Sequence, residues 1–264
     1  MTAPPLLEAA ALRIEVGERV VADGLSIKLE GPRTVLVGDT LALLGPLFGW
    51  AAIARGWLKI QGEELSGMQA RIGLAPLDAP MPDDFTPTEY VAWSAVLAGV
   101  PPAEANARAA LLLEQGGLSG VRHQRLGDLG VVPRRITMLA HALVTQPALL
   151  VAEGPLDGLD TEPGLYVLRA LGAMIGKTPA IVTTKAFEPG SPADALARGA
   201  DEVALLENGE VLEQGKPSDL IPPDLNAVPA TMPEGVVSEG EPHPSPVAPP
   251  VAVAPAPPDE GAPP

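Results

Sequence analysis

The chain has 264 residues, of which 46% are hydrophobic and only 3% aromatic, so its core must be built mainly from aliphatic side chains. It contains no Cys, which excludes disulfides, Cys-bound zinc and thiol catalysis. The net charge of −16 argues against a nucleic-acid partner. The absence of any uncharged apolar run of about 18 residues argues against direct membrane insertion.

The first quarter of the chain has the pattern of short strands around one buried helix. Runs with β-branched residues or apolar alternation predict four strands, at 11–16, 25–29, 34–37 and 57–60. The third of these runs ends at Gly38. The Leu- and Ala-rich segment from Leu41 to Ala54 predicts a buried helix.

The remainder of the globular part alternates helices and strands. Period and composition predict helices at 86–99, 103–115, 134–145 and 165–175. Continuous apolar runs at 148–151 and 179–183 predict buried parallel strands, and Asn208-Gly209 predicts a hairpin over 203–212. The pattern predicts a mixed α/β fold with a parallel core and an antiparallel flank.

The composition changes at Pro222. The segment 222–264 holds 14 of the 32 prolines and six acidic residues, with no Lys or Arg. Such a segment cannot bury enough apolar surface to offset its ordering entropy, so we expect a disordered, Pro-rich acidic tail.

Five stretches occur in the order and spacing of the ATP-binding-cassette (ABC) ATPase family: Val20–Ser26, Arg71–Pro76, Ala140–Leu150, Pro155–Asp160 and Gly199–Gly215. On these stretches residues 8–221 resemble the ATP-binding subunit of an ABC transporter. The resemblance implies a P-loop NTPase fold for residues 1–221, with a helical subdomain at about 85–140 that docks on a transmembrane permease.

The phosphate-binding P-loop of this family has the pattern GxxxxGK[ST], in which the Lys and the hydroxyl contact phosphate and Mg²⁺. Here the corresponding segment runs from Gly38 to Gly45, and we call it the P-loop segment. Leu44 stands at the Lys position and Gly45 at the hydroxyl position. No Lys occurs between Lys28 and Lys59, so a shifted alignment does not supply one.

In the family, one central strand ends with two acidic residues, and this chain keeps only one of the two. Aligned on Pro155, it places Glu153 and Gly154 at the two positions; if Gly154 is an insertion, Ala152 and Glu153 occupy them. Either register leaves one carboxylate where metal binding and general-base catalysis need two groups.

The remaining family motifs also differ, with one exception. Leu77 stands at the Q-loop position, Lys185 at the switch-His position, and Val131 and Val132 within the signature loop. Leu159-Asp160 keeps the D-loop, which lies across the dimer interface in the family. We therefore expect Leu159, Asp160, Val131 and Val132 to be interface residues.

These differences predict a subunit of altered function. We expect no catalytic residue, no bound metal and no ATP or Mg²⁺ cofactor, and hence a catalytically inactive accessory subunit. Its expected partners are a permease or an active ABC ATPase, as a homo- or heterodimer in the cytoplasm, peripheral to the membrane. The alternatives are a non-transport scaffold on the same fold and, least favoured, an active ATPase with divergent motifs.

Overall fold

The computed structural model describes residues 4–222, in which two sheets carry the helices. The strands are β1 (Leu7–Val16), β2 (Arg19–Leu29), β3 (Arg33–Gly38), β4 (Ala52–Ile60), β5 (Glu63–Glu64), β6 (Ile72–Ala75), β7 (Leu149–Ala152), β8 (Ala180–Thr184), β9 (Glu202–Glu207) and β10 (Glu210–Gly215). The helices are α1 (Leu41–Phe48), α2 (Leu65–Met68), α3 (Pro87–Leu97), α4 (Pro102–Gln115), α5 (Val131–Leu143), α6 (Thr161–Ile175), α7 (Pro192–Arg198) and α8 (Pro217–Leu220).

The larger sheet has the order β10-β9-β3-β8-β7-β6. The five strands β9, β3, β8, β7 and β6 run parallel to one another. The edge strand β10 pairs antiparallel with β9. Every residue of β7 and β8 is buried, as expected of central parallel strands with helices on both faces. The parallel arrangement brings the carboxyl ends of β3, β7 and β8 to one edge of the sheet.

The smaller sheet is antiparallel, with the order β2-β1-β4-β5. Buried aliphatic residues of β1 and β2 pack with α1 and with one face of the larger sheet. Helices α3 to α6 cover the other face through an Ala- and Leu-rich cluster. The prediction of a mixed α/β fold with a parallel core, an antiparallel flank and intervening helices is confirmed.

The predicted helix from Leu41 to Ala54 extends too far. Helix α1 ends at Phe48 because Gly49 takes the left-handed conformation, with φ 75°, and caps the last turn. Residues 52–54 belong instead to β4, which pairs with β1. The boundary is hidden in the sequence because Leu- and Ala-rich composition continues from α1 into β4.

The segment predicted as a helical subdomain contains α3, α4 and most of α5. The buried side chain of Ile221 packs with Val35, Val37 and Val203, so the described fold continues to the end of α8. The predicted tail falls outside the described residues apart from its first residue, Pro222.

Candidate functional site

A cavity of about 280 Å³ lies at the carboxyl ends of β3, β7 and β8, beside the start of α1. We call it the strand-end cavity. Its lining consists of Gly38, Asp39, Thr40, Leu41, Leu44, Trp50, Leu77, Glu153, Asp157, Thr183, Thr184 and Lys185. It therefore unites five of the seven motif positions identified from the sequence; Gly45 and Gly154 are not part of the lining.

The P-loop segment forms a tight turn followed directly by a helix. Only Asp39 and Thr40 separate β3 from α1. Gly38 has a φ of 99°, and a Cβ there would lie 2.1 Å from the carbonyl oxygen of Leu206, so no side chain fits. The Asp39 carboxylate accepts a hydrogen bond from the backbone N–H of Leu41 at 3.3 Å. The start of α1 is thus occupied by the chain's own carboxylate.

Leu44 and Gly45 have packing roles inside α1. Leu44 is buried in the cluster between α1 and the two sheets. The carbonyl oxygen of Gly45 accepts hydrogen bonds from the N–H groups of Trp50 and Ala51, at 2.8 and 3.2 Å. A Cβ on Gly45 would lie 2.8 Å from the Ala51 Cβ, so the close approach of helix and turn requires Gly.

Glu153 links the ends of β6 and β7. Its backbone N–H donates to the carbonyl oxygen of Ala75 at 2.9 Å, and its Oε2 accepts from the N–H of Leu77 at 3.0 Å. The carboxylate is half-buried and faces the strand-end cavity. Two predicted motif positions, Leu77 and Glu153, are therefore joined by a direct hydrogen bond.

Gly154 provides the space for a second carboxylate. Its N–H donates to the Thr183 hydroxyl at 3.0 Å, and a Cβ on Gly154 would lie 2.6 Å from Asp157 Oδ2. The Asp157 carboxylate in turn accepts from the Thr184 hydroxyl at 2.8 Å. Asp157 is a site residue that the motif comparison missed, since it is four residues beyond the strand-end acid and only the turn brings it back.

Lys185 follows β8 on the same wall. Its backbone N–H donates to both Asp157 carboxylate oxygens, at 3.3 Å each. Its side chain is exposed and makes no salt bridge within residues 4–222. Among the lining residues Lys185 is the one cation, beside the carboxylates of Asp39, Glu153 and Asp157.

An aromatic surface completes the strand-end cavity. Trp50 stacks on Phe48 with ring centroids 4.5 Å apart and an angle of 14° between the planes. Its side chain is 45% exposed. Sequence reasoning missed Trp50 because the predicted helix ran through it, whereas the end of α1 at Gly49 turns it toward the cavity.

A second cavity of about 480 Å³ adjoins this site and shares Leu77 and Glu153 with it. Its lining includes Arg134 and Arg135 of α5. Arg135 donates to the carbonyl oxygen of Pro155 at 3.1 Å, and burial lowers the pKa of its guanidinium. Arg134 donates to the carbonyl oxygen of Leu126 at 2.9 Å. Arg135 thus supports the loop after Glu153, and Arg134 supports the segment before α5.

The four expected interface residues differ in exposure. Val131, the first residue of α5, is 52% exposed, and Asp160 is exposed at the start of α6. Val132 and Leu159 are partly buried against the helical core cluster. The interface remains a prediction for all four.

No protein-family model matches the chain. Among curated proteins it is 28% identical over 232 residues to the Nod factor export ATP-binding protein I of Ralstonia nicotianae, covering 82% of the chain and 69% of that protein. It is 29% identical over 222 residues to an ABC transporter ATP-binding protein of Methanopyrus kandleri, covering 80% and 75%. The methionine import ATP-binding protein MetN of Brucella abortus is 26% identical, with 81% and 60% covered.

Solved structures show the same fold. The chain matches cbiO1 of Clostridium perfringens, part of an ABC transporter complex, with a TM-score of 0.68, 17% identity and coverage of 82% of the chain and 90% of that structure. It matches the ADP conformation of MJ1267, an ATP-binding cassette of an ABC transporter, with a TM-score of 0.66, 15% identity and coverage of 80% and 91%.

The relatives overturn three of the predictions made from the sequence. They are named as ATP-binding proteins, which contradicts the predicted catalytic inactivity, the predicted absence of ATP hydrolysis and the predicted absence of ATP and Mg²⁺. Those predictions rested on the replacement of residues at the usual motif positions. The fold also brings Asp157 and Lys185 to the same cavity as Glu153. The chain is similar in sequence to ABC transporter ATP-binding proteins, and it shares the P-loop NTPase fold of solved ATP-binding cassettes.

Proposed function

We propose that the chain is the ATP-binding subunit of an ABC transporter and that it binds ATP with Mg²⁺ in the strand-end cavity. The observation that carries this proposal is the convergence of Glu153, Asp157 and Lys185 at the carboxyl ends of β7 and β8, beside α1. Ligands of open parallel sheets bind at this edge. The names of the relatives support ATP as the ligand.

The donor groups of the cavity suit a magnesium–nucleotide complex. Mg²⁺ is usually held by one or two carboxylates together with phosphate oxygens and water. Asp157 supplies such a carboxylate, and Glu153 on the same wall is left to act on water. Residues 4–222 contain no group of three or more His, Cys, Asp or Glu that could hold a metal ion by itself. The ion therefore depends on the nucleotide for its remaining ligands.

The chain's own residues have distinct parts in this proposal. When bound, ATP supplies the phosphoanhydride bond that is broken by water. The N–H of Leu77 orients the Glu153 carboxylate, which can accept a proton from that water. The Thr184 hydroxyl donates to the Asp157 carboxylate and fixes it at the cavity wall, where it would hold the ion. The exposed ring of Trp50 offers a flat apolar surface to the nucleotide base.

A permease and a second ATP-binding subunit are the proposed partners. The relatives are named for export and import, and within residues 4–222 no helix is long and apolar enough to cross a membrane. The subunit would then act at the cytoplasmic face through its permease. Exposed Trp93 and Leu97 on α3 support permease docking by the helical segment 85–140. Val131 and Asp160, with Val132 and Leu159 behind them, are proposed for the dimer interface.

We further propose residues 1–221 as the ABC domain and 222–264 as a tail that the domain does not need. Ile221 supports this division, because it is buried and packs with Val35 and Val203. A chain that ends at Ile221 should keep the thermal midpoint of the full chain. A chain that ends at Leu220 should lose stability by about 2 kcal/mol, the value of a buried Ile side chain. Equal stability of the two shortened chains would place the boundary earlier.

Titration of the full chain with MgATP tests the proposed function. Isothermal calorimetry should give saturable binding with one ATP per chain, and Trp fluorescence should change with the same affinity. In the Trp50→Phe variant, ATP should still bind but most of the fluorescence change should disappear. Omission of Mg²⁺ should weaken binding. No saturable binding of ATP at millimolar concentration would reject the proposal.

A further inference from the structure

We propose that the ammonium group of Lys185 is the cation that pairs with the nucleotide phosphates in the strand-end cavity. In this arrangement the phosphates are held from the end of β8 and not from the P-loop segment. The inference rests on the proposed function, which supplies the nucleotide, and it adds the residue that fixes the orientation of the phosphates.

The P-loop segment has no cation to offer. Leu44 is buried in the core, and the Asp39 carboxylate already accepts the N–H of Leu41 at the start of α1. Arg33 lies at the opposite end of β3, where its guanidinium donates to the carbonyl oxygen of Gly176. Arg55 forms an ion pair with Asp23. Arg135 of the adjoining cavity already donates to the carbonyl oxygen of Pro155. Among the residues that line the strand-end cavity, Lys185 is therefore the positive partner available to a phosphate.

Lys185 is held in place by its backbone and is free at its side chain. The two 3.3 Å hydrogen bonds from its N–H to the Asp157 carboxylate fix the start of the side chain at the cavity wall. Within residues 4–222 its ammonium forms no salt bridge, although three carboxylates line the same cavity. An ammonium at the end of a flexible stem can approach phosphate oxygens as a point charge.

The charge of the cavity makes this contact important. Three carboxylates and one ammonium give the lining a formal charge of −2. An anionic ligand would be repelled by that field unless cations offset it. Mg²⁺ bound to the nucleotide offsets part of the repulsion, and Lys185 supplies the other positive charge. Loss of Lys185 would make the formal charge of the lining more negative, from −2 to −3.

The test compares two lysines at opposite ends of one strand. Lys185 follows β8, and Lys177, which is also exposed, precedes it. MgATP affinities of the full-length wild type, Lys185→Gln, Lys185→Arg and Lys177→Gln are measured by calorimetry at two salt concentrations. Lys185→Gln should bind at least about tenfold more weakly with a smaller salt dependence, since a hydrogen-bonded charge contact is lost. Lys185→Arg should largely restore binding, and Lys177→Gln should match the wild type.

The outcomes separate this inference from the proposed function. If the wild type binds no ATP, the proposed function fails. If the wild type binds and Lys185→Gln binds equally well, only the Lys185 inference fails. Thermal melting of each variant identifies a loss of binding that comes from unfolding. If Lys185→Gln melts early, adenosine affinity provides the second measurement: equal losses for adenosine and ATP overturn the inference, and a loss confined to ATP supports it.

Discussion

The carboxylate of Glu153 accepts a hydrogen bond from the backbone N–H of Leu77 at 3.0 Å, across the carboxyl ends of β7 and β6. The bond ties the loop after β6 to the acid that lines the strand-end cavity. Movement of that loop would therefore change the position of the carboxylate.

Glu153→Gln should separate nucleotide binding from hydrolysis. The amide oxygen of Gln can still accept the Leu77 N–H, so the loop should keep its position, while the base for water is lost. We expect MgATP affinity to be retained and phosphate release to fall by about 100-fold or more at saturating ATP. Glu207→Gln, at an exposed position at the end of β9, is the matched control. Undiminished phosphate release would show that Glu153 is not the base.

Asp39→Asn should strengthen MgATP binding. The carboxylate adds negative charge beside the start of α1, where the helix dipole would otherwise favour a phosphate. The Asn side-chain oxygen can still accept the Leu41 N–H, so the turn should survive. We expect a several-fold gain in affinity that shrinks at high salt, measured by calorimetry. Weaker binding by Asp39→Asn would mean that this carboxylate itself contributes to the site, for example through the metal ion.

Gly154→Ala should disturb the site more than Gly158→Ala. Both glycines have positive φ, 49° and 70°, so either Ala incurs backbone strain of roughly 1–2 kcal/mol. Only at Gly154 would the new Cβ meet Asp157 Oδ2, at 2.6 Å; at Gly158 it would meet nothing within 4 Å. Urea unfolding should show the larger loss for Gly154→Ala, and its MgATP affinity should fall. Equal losses in both variants would remove the steric role assigned to Gly154.

The fold was predictable because several local patterns agree on it. The buried runs at β7 and β8 and the Asn208-Gly209 hairpin indicate their structures without tertiary information. The site was less predictable. Asp157 and Lys185 are 28 residues apart in sequence and meet only through the pairing of β7 with β8. Carboxyl ends of parallel strands share one edge, so the positions of Glu153 and Lys185 just after two buried strands already placed them together, whereas Asp157 follows a turn.

Trp50 shows the limit of reasoning from composition. The segment after Leu41 is apolar throughout, and a helix pattern through 54 places Trp50 in a buried helix. In the structure, Gly49 adopts the left-handed conformation and ends the helix before Trp50. A Gly near the end of a helical run is a known stop signal, but Gly45 earlier in the same segment lies inside α1. The packing of Ala51 against Gly45 distinguishes the two positions, and that contact exists only in the folded chain.

The buried imidazole of His141 should make the free energy of unfolding decrease as the pH is lowered. It lies on α5, stacks on Tyr90 with centroids 4.9 Å apart, and its buried Nδ1 has no hydrogen-bond partner in the described part of the chain. Burial lowers the pKa of the imidazole below its usual value of about 6.5. Between those two pKa values the unfolded chain binds a proton that the folded chain does not. The free energy of unfolding should therefore decrease as the pH falls below about 6.5, until the folded form also protonates.

Replacement of His141 should remove this dependence. His141→Phe preserves an aromatic ring for the stack on Tyr90 and cannot take up a proton. The free energy of unfolding of the wild type and of His141→Phe is measured in urea at pH 7.5 and at pH 5.5. The difference between the two proteins should change by on the order of 1 kcal/mol from one pH to the other. His123→Gln, at an exposed position, is the control for the loss of a histidine outside the stack on Tyr90. A constant difference between wild type and His141→Phe would assign the acid sensitivity to other groups, because carboxylates titrate equally in both chains.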